Sequence, residues 1–169
     1  MCFEALVQRR DMSIIWPLLC LLLHQAYLLI KFRQFDDATD LIDSSFELQQ
    51  IIPEFANQAM NISTLSTMAF IYYQTKQHKA SFDTYKACVQ LQENTSQSNE
   101  RDKADVLTKM AKNAKKMKDP EKRVLILRCI LVYQQCYLPE DDDEIWETNA
   151  ALAESLQEYA DAGGECIWI

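Results

Sequence analysis

Small and large apolar residues return along this chain in the same order, at helical spacing, every 42 to 45 positions. Leu65, Ala69 and Tyr72 fall on one helical face, and beyond the polar stretch QTKQHK the residues Ser81, Tyr85, Cys88 and Val89 fall on another. Forty-three positions earlier stand Leu22, Ala26, Leu29, Ala38, Ile42, Ser45 and Phe46. Forty-two positions later stand Leu107, Ala111, Ala114, Arg123, Leu127, Ile130 and Leu131. Arg123 departs from the pattern there, at a place where a close helix crossing favours a small side chain. A further step of 45 reaches Leu152, Leu156 and Tyr159, with Gly163 four residues on. Recurrence over this length marks an array of helical hairpins.

The pattern predicts an all-α fold, a right-handed solenoid of about three helical hairpins over residues 13–50, 57–93 and 100–137. A capping helix at 144–162 and a tail at 163–169 complete a single repeat domain, 1–169. One hairpin cannot cover both of its apolar faces, so neighbours stack, and about three are needed for stability. Only two glycines and four prolines occur in 169 residues, which disfavours the tight turns of sandwiches and barrels. The stretches ELQQIIPEFANQ, QLQENTSQSNER and YLPEDDD read as long connections between hairpins. Asp141, Asp142 and Asp143 offer N-cap oxygens to the last helix, and Glu147, Glu154, Glu158 and Asp161 turn its polar side to water.

Ala69, Tyr72, Ser81, Tyr85 and Cys88, with Tyr159-x-x-x-Gly163, follow the order of small and aromatic positions of the tetratricopeptide repeat; over about residues 14–163 the chain resembles that family. Arg33 and Lys76 stand where the family carries a turn glycine, its closing proline is absent or displaced, and the spacing exceeds the common repeat of about 34 residues. The resemblance implies a concave surface lined by first helices. On that register the groove positions are Tyr27 and Lys31, then Phe70 and Tyr73, then Lys112, Lys115 and Lys116. An aromatic floor running into a basic end implies a protein partner with an acidic, amphipathic segment. Leu23 and Tyr27 occupy the places where members that clamp a C-terminal dicarboxylate carry polar residues, so that mode is not expected.

Charge sharpens this picture. The net charge is −8, which argues against a nucleic-acid surface. Residues 100–128 carry a net +5, while residues 138–169 carry ten acidic residues and no Lys or Arg. The acidic last helix is therefore also a candidate to lie along the basic segment and pair with it internally. The six cysteines form no CxxC pair, and reduced thiols in a cytoplasmic protein are the expectation. The sequons at Asn61 and Asn94 would matter only in a secreted chain. Residues 13–31, SIIWPLLCLLLHQAYLLIK, approach the ~20 apolar residues a bilayer span requires, and Met12 with the run to Leu23 has the outline of a signal-peptide core. His24, Gln25 and Lys31 interrupt the stretch, so burial inside the array is expected, with a membrane anchor and a cleaved leader as the alternatives.

Catalytic constellations are scarce. Histidine occurs only as His24 and His78; Cys20 and His24 share helical spacing but read as a buried thiol and a hydrogen-bonded imidazole in a leucine-rich helix. No Glu-x-x-His is present, and with glycines only at 163 and 164 no phosphate loop can be built. EDDDE at 140–144 lacks the glycine of a calcium loop. The expectation is a non-enzymatic adaptor or scaffold with no cofactor and no metal. One alternative is a structural subunit that associates end to end through its C-terminal end; another is a protein anchored through residues 13–31. The ending Cys166-Ile167-Trp168-Ile169 has the layout of a prenylation signal and of a strand-adding C-terminal ligand, beside the plainer option of self-packing.

Overall fold

Among the residues that the computed structural model describes, 12–51, 58–95 and 99–164, all regular structure is helical. Seven helices follow one another: α1 (Met12–Lys31), α2 (Phe35–Ile51), α3 (Gln58–Gln74), α4 (His78–Glu93), α5 (Glu100–Lys116), α6 (Pro120–Gln134) and α7 (Asp143–Asp161). The chain forms two compact units divided between Lys76 and Gln77. In the first, α1 packs on α2, α2 on α3 and α1 also on α3; in the second, α4 packs on α5, α5 on α6 and α6 on α7. Cys2 and the C-terminal Cys166-Ile167-Trp168-Ile169 lie outside the described residues.

The turns explain how helices of this length stop without glycine. Arg33, Lys76 and Lys118 adopt φ of 60°, 64° and 55°, and Gly163 adopts 81°, so four left-handed residues recur at spacings of 43, 42 and 45. After α1, the Arg33 amide donates to the Ile30 carbonyl and the Gln34 amide to the Leu29 carbonyl. The same pair of bonds runs from Lys118 to Lys115 and Asp119 to Ala114, and from Gly163 to Ala160 and Gly164 to Tyr159. This double closure satisfies carbonyls that a helix end would otherwise leave open. At the last end the Tyr159 ring occupies the space a Cβ on Gly164 would need, so a side chain there would displace the ring. The next helix starts on signals in the sequence as well. Asp119 caps α6, accepting from the Lys122 amide with Pro120 in the first turn, and Asp142 caps α7, accepting from the Glu144 amide.

Packing in the first unit divides the leucine-rich α1 into two sides. Ile15 and Leu19 join Leu48 of α2 and Met60 of α3 in one core, and Ala26 and Ile30 join Ala38, Ile42 and Ile71 in a second. A polar contact lies beside them, where Gln49 Nε2 donates to Thr64 Oγ1 at 2.9 Å. The other side of α1 leaves Leu21, Leu28 and Phe32 exposed. Cys20 and His24 lie on that exposed side, contrary to the buried thiol expected, because the smaller Ala26 and the aliphatic Ile30 fill the helix crossing instead. No helix among the described residues is long and apolar enough to cross a membrane.

In the second unit α4 buries Ser81, Tyr85, Cys88 and Gln92, α5 buries Ala104, Leu107, Ala111 and Ala114 among others, and α6 buries Val124, Leu127 and Ile130. The seams between units of the pattern recur in register. Ala38 shares a core with Ile71; 43 and 42 positions on, Ser81 Oγ accepts from Asn113 Nδ2 at 2.9 Å; a further 42 and 45 on, Arg123 reaches Glu158 at 3.5 Å. Gln49, Gln92 and Gln134, also 43 and 42 apart, are each at most 5% exposed. α7 differs from expectation. Ile145, Thr148 and Ser155 form its buried face, whereas Leu156 is 40% exposed, because contact with α6 selects the side carrying Ser155.

A non-glycine residue in the left-handed region costs ~1–2 kcal/mol, part of which glycine forfeits through its freer unfolded chain. Lys118→Gly is accordingly expected to stabilise the protein by ~0.5–1 kcal/mol in denaturant unfolding. Lys118→Ala should give no such gain.

Candidate partner-binding cleft

The seven groove positions fall into two groups, one in each unit. In the first unit Tyr27 and Lys31 stand one turn apart on the exposed side of α1, and the Lys31 ammonium lies 5.0 Å from the centre of the Tyr27 ring. A cation over an exposed ring contributes ~0.5–1 kcal/mol and holds both side chains in place. Phe70 and Tyr73 are on α3, the former 39% exposed and the latter half-buried. In the second unit Lys112 and Lys115 line one cleft; Lys116 is exposed at the end of α5 and is not part of its lining.

That cleft has a volume of about 220 Å³. α5 supplies one wall with Thr108, Ala111, Lys112 and Lys115, α7 the other with Glu147, Thr148 and Ala151, and α6 the floor with Arg123, Leu127 and Ile130. The helical repeat puts Thr108, Lys112 and Lys115 on one side of α5, so a hydroxyl and two ammonium groups share an edge above an apolar floor. A larger hollow of about 510 Å³ opens between the end of α6 and the start of α7, over Gln135, Leu138, Glu140, Ile145 and Asn149, and none of these described residues is a cation.

One end of the cleft is closed by charge. Glu154 of α7 accepts from Lys115 Nζ at 2.8 and 3.0 Å through its two carboxylate oxygens, and from Arg123 at 2.8 Å. Arg123 is only 7% exposed at its side chain, and its other guanidinium nitrogen reaches Glu158. The acidic helix is thus laid along the basic segment, and Glu154 and Glu158, exposed to water as expected, also reach Arg123. Lys112 holds no ion pair among the described residues, so the cleft keeps a cation at its rim. Cys88, the buried thiol of this unit, is pushed up to about 12 by burial, which keeps it protonated and unreactive at neutral pH.

Arg123, Leu127 and Ile130 are the residues that reasoning from groove positions overlooked. The signal was present in Arg123 itself, a charge at a position where the recurring pattern calls for a small side chain. A charge so placed requires a counter-charge on the facing helix, and that requirement points to α7. No protein-family model matches the chain and no curated protein matches it, so the chemistry of the cleft rests on its own residues.

The hydrogen bond from Lys115 and then that from Arg123 hold the Glu154 carboxyl down at about 2, against an ordinary value of 4.5. The folded value is the lower one, so the pairing stabilises fully above the unfolded value and is lost as pH falls from 4.5 to about 2. Amide exchange along α7 should therefore accelerate through that window, and Glu154→Gln should shrink the acid-dependent part of the change. An α7 whose protection is the same in both proteins at every pH would contradict the assignment.

Proposed function

We propose that this protein is a non-catalytic, cytoplasmic adaptor whose second unit holds an acidic, partly apolar segment of a partner protein in the cleft between α5, α6 and α7. The observation that carries this reading is the juxtaposition of an apolar floor, Leu127 and Ile130, with Lys112 and Lys115 on one rim. Glu154 already marks the chemistry that these cations select, a carboxylate presented from a helix. A guest with Asp or Glu one turn from Leu, Ile or Phe would set its apolar side chain on the floor and its carboxylate on Lys112. The matched seams and the four left-handed turns support a stack of hairpins resembling the tetratricopeptide array, in which first helices line the recognition surface. In the first unit, Tyr27 with Lys31 and the exposed Phe70 offer a contact of the same kind, an aromatic face beside a cation.

A second reading rests on α7, where Trp146 is 66% and Leu156 40% exposed. Apolar residues of this size on an outer helix suit end-to-end association in a structural subunit. Sedimentation should then show a concentration-dependent dimer that Leu156→Glu abolishes, whereas a monomer at all concentrations would remove this reading.

For the cleft, selection of a random-peptide library on the immobilised protein should enrich sequences pairing an acidic residue with an aliphatic or aromatic one a helical turn away. Lys112→Glu should weaken the enriched peptides about tenfold or more while leaving the melting temperature unchanged. Enrichment of basic peptides, or equal binding by the variant, would defeat the cleft as the docking site.

A further inference from the structure

The two walls of the cleft are in a fixed register. Lys103 Nζ, in the first turn of α5, lies 5.5 Å from the centre of the Tyr133 ring at the end of α6, and Arg123 at the start of α6 meets Glu154 and Glu158 toward the end of α7. Each helix therefore runs opposite to the one before it, and α5 and α7 run in the same direction on either side of α6. Lys115 bonds Glu154, 39 positions on. The same offset matches Lys112 with Ala151 and Thr108 with Glu147, and all four of these residues line the cleft.

Three levels follow along the cleft. At the closed end Lys115 and Arg123 share Glu154, so charge there is answered. One turn on, at the level of Leu127, Lys112 has only the methyl group of Ala151 matched with it on the far wall. At the open end, at the level of Ile130, Glu147 is matched with Thr108, whose hydroxyl already donates to the Ala104 carbonyl. Glu147 is exposed, and among the described residues neither it nor Lys112 holds an ion pair. Four residues of helix advance about 6 Å, so an unanswered cation and an unanswered anion stand a turn apart on opposite walls of an apolar floor.

A guest bearing acid alone would meet Lys112 and bring its own charge within a turn of Glu147. On the reading that the cleft docks a partner segment, we propose that Glu147 selects guests of mixed charge, with a carboxylate on Lys112, an apolar side chain on Leu127 and Ile130, and an Arg or Lys on Glu147. The two rim charges then also fix the direction in which the guest lies, acid toward the closed end and base toward the open end. A reversed guest would set like charges together at both levels.

The random-peptide selection, repeated on the full chain beside Glu147→Lys, tests this. The native protein should enrich peptides that carry Arg or Lys about a turn from the acidic residue, whereas Glu147→Lys should lose the basic position and gain a second acidic one. One enriched peptide and its counterpart with glutamine at the basic position, titrated against the native chain and Glu147→Gln by fluorescence anisotropy, complete a double-mutant cycle whose expected coupling is about threefold in Kd. Absence of coupling, or the same acidic and apolar consensus from native and Glu147→Lys proteins, would overturn the role of Glu147 and leave the cleft standing. Failure of the native chain to enrich acidic, apolar peptides at all would instead remove the cleft, and this inference with it.

Discussion

A guanidinium buried to the extent of Arg123 is tolerated only if opposite charge reaches it, and in the second unit that charge comes from α7. The dependence is unequal. Glu154 and Glu158 keep nearly half of their side chains in water, so they remain solvated without Arg123, whereas Arg123 without them is stranded. The position of α7 on α6 therefore follows from the needs of the cation. Because Lys115 shares the same carboxylate, the placement of α7 also sets the far wall and the closed end of the cleft.

The seams that recur along the chain differ in chemistry while keeping their register. Ala38 with Ile71 is apolar, Ser81 with Asn113 is a neutral hydrogen bond, and Arg123 with Glu158 is ionic. Each pair is matched in polarity, and an isoleucine opposite Arg123 would leave a buried charge unmatched. Similar helices thus carry distinct pairing preferences, which selects one order of packing among several that hydrophobicity alone would permit.

Much of the helical architecture is legible in the residues. The polar stretches after Lys31 and Gln74 become turns, Asp142 becomes a cap, and the absence of strands among the described residues agrees with the scarcity of turn-forming residues. Other features are not local properties. Arg33, Lys76 and Lys118 carry no sign of the left-handed backbone they adopt; it comes from helix ends that must close, and the spacing of those ends becomes visible once all four are compared. Cys20 and Leu156 were misassigned to buried faces because several leucines or alanines on one helix can compete for a crossing, and the partner helix decides among them. The aromatic and basic groove positions illustrate the same limit: residue type marked them as surface, but only packing gathered Lys112 and Lys115 over Leu127 and Ile130.

The two cations that hold Glu154 differ in their access to solvent, Lys115 with 51% of its side chain exposed and Arg123 with 7%. Dissolved ions screen the first and barely reach the second. Rising ionic strength would therefore strip the clasp in two stages, freeing the lysine while the arginine still anchors the helix. Over that interval the mouth of the cleft would widen without the unit coming apart.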